Sequence, residues 1–311
     1  MTRSPAAPDG DARIAMTGRN DRDALTRFLL ERSGVRGVIV RLDDTWASIR
    51  DRADYPSEVA ARLGETCAAA GLLTGHVKVD GRLSVQLRGT GALSTLFAEC
   101  TRAGRLRGLA RYNEPVPSPL TPRHFGPGSL LAITIENQPP GTREAVRYQG
   151  LVGLDADTLA EAFEGYFARS EQLPTRLALA VHGDVAAGMM LQLLPEAQGD
   201  ADGWNRASAL FDTLTHAELC ALPVETLLWR LFHEEGVRLL GTSPLDFGCS
   251  CSRERVAAML LSLGHDEAMA AAVGDRAEIT CEFCNRRYEF DRVDIEQLFT
   301  PPTGRAPDRP Q

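Results

Sequence analysis

Four of the seven cysteines stand in two tight pairs, Cys249 and Cys251 in "FGCSCSRERV" and Cys281 and Cys284 in "ITCEFCNRRYEF", with 29 residues between Cys251 and Cys281. Thiolates are soft ligands. Two local pairs bridged by a compact insert are the usual construction of a tetrahedral four-sulfur site, which zinc closes with Zn–S distances of about 2.3 Å. The spacing therefore assigns Cys249, Cys251, Cys281 and Cys284 as ligands of Zn2+, with iron as the second choice. Three readings of such a site stay open: a closed structural zinc, a thioredoxin-like redox pair at "CEFC", and a nucleic-acid ribbon. The redox pair lacks the strand and long helix that would frame it. The ribbon is disfavoured by charge, because residues 246–290 set five arginines against eight carboxylates, a net of −3. The single-residue spacing of the first pair is uncommon in purely structural ribbons. Zinc keeps all four sulfurs as thiolates, the form that oxidants attack. Oxidation would remove the ligands and, with them, folding energy of order ~10–16 kcal/mol. Such a site can work as a fuse.

The elements that would position these cysteines read as follows. "SRERVAAMLLSLG" is a helix with Ser252 as N-cap and Gly264 as C-cap, and "HDEAMAAAVG" is a second short helix. "RAEIT" and "RRYEF" are strands flanking a knuckle that aims Cys281 and Cys284 at one centre. Upstream, "GVRGVIVRLDDTW", "RLRGLARY", "SLLAITIEN" and "AVRYQGLVGL" alternate as strands, and "LALAVHGDVAAGMMLQLL" reads as two more. "HVKVDGRLSVQLR" predicts a hairpin turning at Asp80-Gly81. "PSEVAARLGETCAAAGLL" predicts an amphipathic helix, and "TLAEAFEGYFARSEQ" a helix with Leu159, Phe163, Tyr166 and Phe167 on one apolar face. Residues 204–236 are mostly helical and crowded with Trp204, Phe211, Leu227, Leu228, Trp229 and Phe232, so they must lie against something. The fold class is α+β. The expected divisions are a disordered extension 1–20, an α+β core 21–195, a helical linker 196–245, a zinc-binding domain 246–298 and a disordered tail 299–311.

The remaining features exclude more than they assign. A chain of 311 residues, 43% hydrophobic and 24% charged, suits a globular protein of roughly two domains. Its net charge of −8 speaks against a general affinity for nucleic acid or anionic membrane. No apolar run is long enough to span a bilayer or serve as a signal sequence, so the expected location is cytoplasmic, where paired cysteines point to metal or redox chemistry. Cys67, Cys100 and Cys220 are scattered in apolar contexts and read as small buried hydrophobes. "RGTGALST" lacks the full dinucleotide fingerprint. The six histidines show no ligand spacing, and no catalytic constellation is found.

Taken together, these residues resemble one family. "CSCSRERV" followed by "CEFCNRRYEF" is similar to the zinc module of the redox-regulated heat-shock protein 33 family, the thirty-three-kilodalton chaperonin. "YFARSEQLPT" at 166–175, "HVKVDGRL", "RGLARY" and "GVRGVIVRLDDTW" extend the likeness over about residues 25–290. The resemblance implies an ATP-independent holdase, not an enzyme, held inactive while reduced and zinc-bound. It implies disulfides between neighbours, Cys249 with Cys251 and Cys281 with Cys284, followed by loss of zinc and unfolding of the linker. It implies partners that are unfolding or oxidatively damaged proteins, and a homodimer when oxidised. The alternative from another class is a thiol-disulfide oxidoreductase using Cys281 and Cys284.

Overall fold

The computed structural model describes residues 22–77, 79–137, 145–194, 200–272 and 274–300. The extension 1–20, residues 301–311 of the expected tail and the core–linker boundary at 195–199 lie outside the described residues. The chain runs β1 (Ala24–Leu30), β2 (Val35–Leu42), α1 (Asp44–Arg50), α2 (Ser57–His76), β3 (Arg82–Arg88), β4 (Leu93–Thr101), β5 (Arg105–Tyr112), β6 (Leu130–Asn137) and β7 (Val146–Gly153). It continues with α3 (Leu159–Tyr166), β8 (Thr175–His182), β9 (Val185–Leu193), α4 (Gly203–Phe211), α5 (His216–Ala221) and α6 (Val224–Phe232). Last come β10 (Val237–Pro244), β11 (Asp246–Phe247), α7 (Arg253–Leu263), α8 (His265–Ala270), β12 (Arg276–Thr280), β13 (Arg287–Asp291) and α9 (Arg292–Phe299).

Two sheets carry the core. The first has the order β10-β1-β2-β9-β8 and is antiparallel throughout. The second has the order β11-β5-β4-β3-β6-β7, with only β11 parallel to its neighbour. Helix α2 lies between them, and here the expectation of an amphipathic helix is corrected. Val59, Leu63, Cys67, Leu72 and Leu73 are buried, but so are Ala68, Ala69 and Ala70. A helix enclosed by two sheets is buried all round and needs small residues to let both approach. Its core partners come from both sheets, Val40 and Met190 from the first and Val85 and Leu96 from the second.

The far face of the first sheet, with Phe28, Ile39, Met189 and Leu191, is covered by α4, α5 and α6 through Phe211, Leu219, Leu227, Leu228 and Phe232. Helix α6 buries Val224, Leu227, Leu228 and Phe232, the i, i+3, i+4, i+8 stripe. Trp229 falls on the opposite face and is 58% exposed, its ring tilted against that of His233. The expectation that it is an interior residue is therefore corrected. The linker was also expected to be helical as far as residue 245, yet residues 237–244 are β10, hydrogen-bonded to β1.

The hairpin expected at Asp80-Gly81 does not form. Helix α2 runs on through His76, whose half-buried ring packs against Phe167 and the Arg36 guanidinium. Gly81 serves a close approach instead: a Cβ there would lie 2.1 Å from the Glu136 carbonyl oxygen. The hairpin belongs to β3 and β4, and its turn is the Gly-Thr-Gly of "RGTGALST". Thr90 and Gly91 donate their backbone N–H groups to the Phe125 carbonyl at 2.7 and 2.8 Å, so this motif is packing, not phosphate binding.

The C-terminal module has its own small core of Leu260, Ala268, Ala277, Tyr288, Phe290 and Ile295. Ser252 caps α7 by accepting from the Arg255 N–H, as the sequence predicts. Helix α9 was not foreseen. Its signal was present in Asp291-x-x-Asp294, where each side chain accepts from the other residue's backbone N–H. Phe299, assigned to the tail from sequence, ends this helix and packs on the module.

Candidate metal centre

The two halves of the site are held by different parts of the molecule. Cys249 and Cys251 follow β11, which pairs with β5, Asp246 opposite Arg105 and Phe247 opposite Leu106. The Gly248 N–H extends that pairing by donating to the Leu106 carbonyl at 3.0 Å. The first pair therefore hangs from the edge of the second core sheet. Cys281 and Cys284 sit in the turn between β12 and β13. The Cys281 N–H donates to the Arg286 carbonyl at 2.9 Å and the Asn285 N–H returns to the Cys281 carbonyl at 2.8 Å. Asn285 closes the turn in the left-handed region, at φ 57°.

All four sulfurs lie within 4.8 Å of one another. The Cys249–Cys281 separation is 3.6 Å and the Cys251–Cys284 separation 3.2 Å. Tetrahedral ligation at a Zn–S distance of about 2.3 Å requires sulfurs about 3.8 Å apart. The four cysteines are thus positioned to bind a metal ion, and an all-sulfur donor set suits a soft one. Among the described residues they are the one group of three or more metal-binding side chains so arranged.

The surroundings divide the thiols. Burial works to raise Cys251, but the Tyr288 hydroxyl, donating to its sulfur at 3.1 Å, and the neighbouring thiols outweigh this and bring it down to about 7. Burial pushes Cys284 up to about 12 and raises Cys249. Four thiolates this close repel one another, and a bound dication is what offsets the repulsion. Burial likewise raises Cys220, raises Cys100 to about 11 and drives Cys67 higher still. Those three remain thiols inside the core, as read from sequence.

The knuckle is docked on the core by contacts that the sequence reading missed. The Phe283 ring meets the Phe97 ring edge-on at 5.6 Å, and the Arg107 guanidinium lies over it at 4.2 Å. Arg107 also pairs with the buried Glu99 at 3.0 Å and reaches Cys249 Sγ at 3.8 Å. Arg111 bridges to Glu282 at 2.5 Å, Arg52 donates to the Cys284 carbonyl at 3.2 Å, and the Asn285 amide donates to the Arg52 carbonyl. These partners all belong to the core. The linker helices lie elsewhere, on the first sheet, so their cover is the sheet itself.

An α+β core joined at one sheet edge to a four-thiol module defines the class of molecule. The model of the Hsp33 protein family matches residues 23–291. The chain is 45% identical over 293 residues to the 33 kDa chaperonin of Ectopseudomonas mendocina, covering 92% of this chain and 98% of that protein. It is 44% identical over 284 residues to the 33 kDa chaperonin of Nitrosococcus oceani, covering 90% and 96%. The crystal structure of the 33 kDa chaperonin of Thermotoga maritima matches with a TM-score of 0.75 at 22% identity, over 89% of this chain and 97% of that one. This chain belongs to the Hsp33 family of chaperones.

Proposed function

We propose that this chain is a redox-regulated, ATP-independent holdase whose switch is a zinc site formed by Cys249, Cys251, Cys281 and Cys284. The observation that carries the reading is the placement of the four sulfurs within 4.8 Å across the joint between the core sheet edge and the module. Zinc, when bound, keeps the four sulfurs ionised and ties the knuckle to that edge. Under an oxidant such as hydrogen peroxide, the thiolate pairs Cys249 with Cys251 and Cys281 with Cys284 each give up two electrons and form a sulfur–sulfur bond. Each peroxide takes those two electrons together with two protons from solvent and leaves as two waters. A disulfide sulfur is a poor ligand, so the tie is lost. Distance alone does not choose this pairing, since the cross pairs are also close. The pairing is the one the family resemblance implies, and it fits release: local disulfides would free the knuckle, whereas Cys249–Cys281 and Cys251–Cys284 would staple it in place.

Release is transmitted along the chain. Cys249 follows β11 on the second sheet, β11 follows β10 on the first, and β10 follows α6. When α4–α6 lift, Phe211, Leu227, Leu228 and Phe232 and the sheet beneath them become available. Apolar surface of this kind contributes roughly 25 cal/mol per Å² toward an unfolding client. In the oxidised state we assign the chain as a homodimer, acting in the cytoplasm.

The experiment is metal content before and after peroxide, run beside light scattering of a thermally unfolding client. Loss of one zinc per chain together with suppressed aggregation is expected. Metal loss without suppression, or catalytic reduction of insulin disulfides, would instead favour an oxidoreductase.

A further inference from the structure

The outer face of the second sheet, turned away from α2, is set by the strand register. One row crosses five strands as Leu109, Phe97, Gln86, Ala132 and Leu151, directly opposed in neighbouring pairs. Only Gln86 interrupts its apolar character. At the β7 end the row is open: Leu151 is 58% exposed, and Leu130, in the next row, is 46% exposed. Strand β7 is the sheet's edge, so among the described residues its outer N–H and C=O groups have no strand beside them. The same face is basic. Arg82, Arg88, Arg105, Arg107, Arg111 and Arg147 stand on it against Glu99, Glu136 and, on β11, Asp246, in a chain whose net charge is −8.

The other end of the row is occupied by the chain itself. Phe283 sits on Phe97 under the Arg107 guanidinium, and Glu282 pairs with Arg111. From this we infer that the outer face of the second sheet is a docking surface for extended segments that place an aromatic residue beside an acidic one, and that the knuckle's Glu282-Phe283 occupies it as an internal mimic. The partner is an unfolding polypeptide, so the inference rests on the chaperone reading above and adds a second client surface to the linker. The recognition chemistry is what the mimic displays: an aromatic ring between Phe97 and a guanidinium, a carboxylate on Arg111, and an apolar track leading to an open strand edge. Local disulfides at Cys249–Cys251 and Cys281–Cys284 would vacate the site.

The test uses the full chain and a fluorescein-labelled hexapeptide of residues 280–285 with serine at both cysteine positions, followed by fluorescence anisotropy. Phe283→Ala, checked to retain its metal, should bind the peptide about tenfold or more tighter than zinc-bound wild type, because the ring that competes for the site is gone. Oxidised wild type should bind it comparably, and a peptide with alanine for phenylalanine should lose that affinity. Phe97→Asp should abolish peptide binding in the oxidised chain while the far-UV circular dichroism of that oxidised chain stays as in wild type. Leu151→Lys, at an exposed edge position where folding is not at stake, should weaken it. If oxidised wild type holds a denaturing client but not the peptide, this surface is overturned and the chaperone reading stands. Should it hold neither, both fall. A monomer–dimer shift lost in Leu151→Lys, with peptide binding unchanged, would give the face to a second copy and overturn the proposal.

Discussion

Phe232→Ala should activate the reduced, metal-bound chain without oxidant. Phe232 is 0% exposed, its ring stacks on Phe28 with centroids 6.3 Å apart, and it packs among Leu191, Leu227 and Leu228 under the linker. Truncating a buried phenylalanine costs about 3–5 kcal/mol, from lost transfer energy and the cavity left behind. Because the ring joins α6 to the first sheet, that cost falls on the docked linker, not on α2 and the second sheet. Each ~1.4 kcal/mol is a factor of ten, so the lifted population rises roughly 10²-fold to several 10³-fold. Limited proteolysis should cut within 203–232, and light scattering should show a client held in solution, with metal content unchanged. Trp229→Glu is the contrasting control. Its side chain already faces solvent, so the change should stay within about 0.5 kcal/mol and leave the chain inactive. A Phe232→Ala chain that keeps its metal and opens its linker to protease, yet holds no more client than wild type, would refute linker docking as the restraint.

Cys281→Ser should lose most of the metal, since three sulfurs cannot close the site, whereas Cys67→Ser should keep it and lower the melting temperature by placing a hydroxyl in an apolar core; metal analysis and thermal melts check both. Peptide mapping after peroxide should find Cys249–Cys251 and Cys281–Cys284, and recovery of Cys249–Cys281 instead would contradict release of the knuckle. Stability should also fall as pH rises from about 4.5 to 7 through Glu65, which is buried in α2 beside Arg62 at 2.7 Å and raised to about 7 by desolvation. Its folded pKa exceeds the unfolded value, so between the two the native state binds the extra proton, and that contribution is gone above pH 7. The melting temperature of Glu65→Gln should show a flatter dependence across that window.

What the sequence determined by itself follows from local rules. Cysteine spacing, the Ser252 and Gly264 caps and the two short strands around the knuckle are set by neighbours in the chain, and all stand where they were read. The outward turn of Trp229 was legible too, because the stripe of Val224, Leu227, Leu228 and Phe232 leaves it on the other side of the helix. Periodicity shows that a face is buried but not against what, and here the tertiary structure decided. It enclosed α2 between two sheets, carried α2 through His76 where a strand was expected, and hung Cys249 and Cys251 from the edge of β5. It alone brought Phe283 to Phe97, 186 residues away in the chain, and Arg107 to Cys249. No local pattern encodes those meetings, since they arise only when the sheet register aligns side chains from five strands on one face.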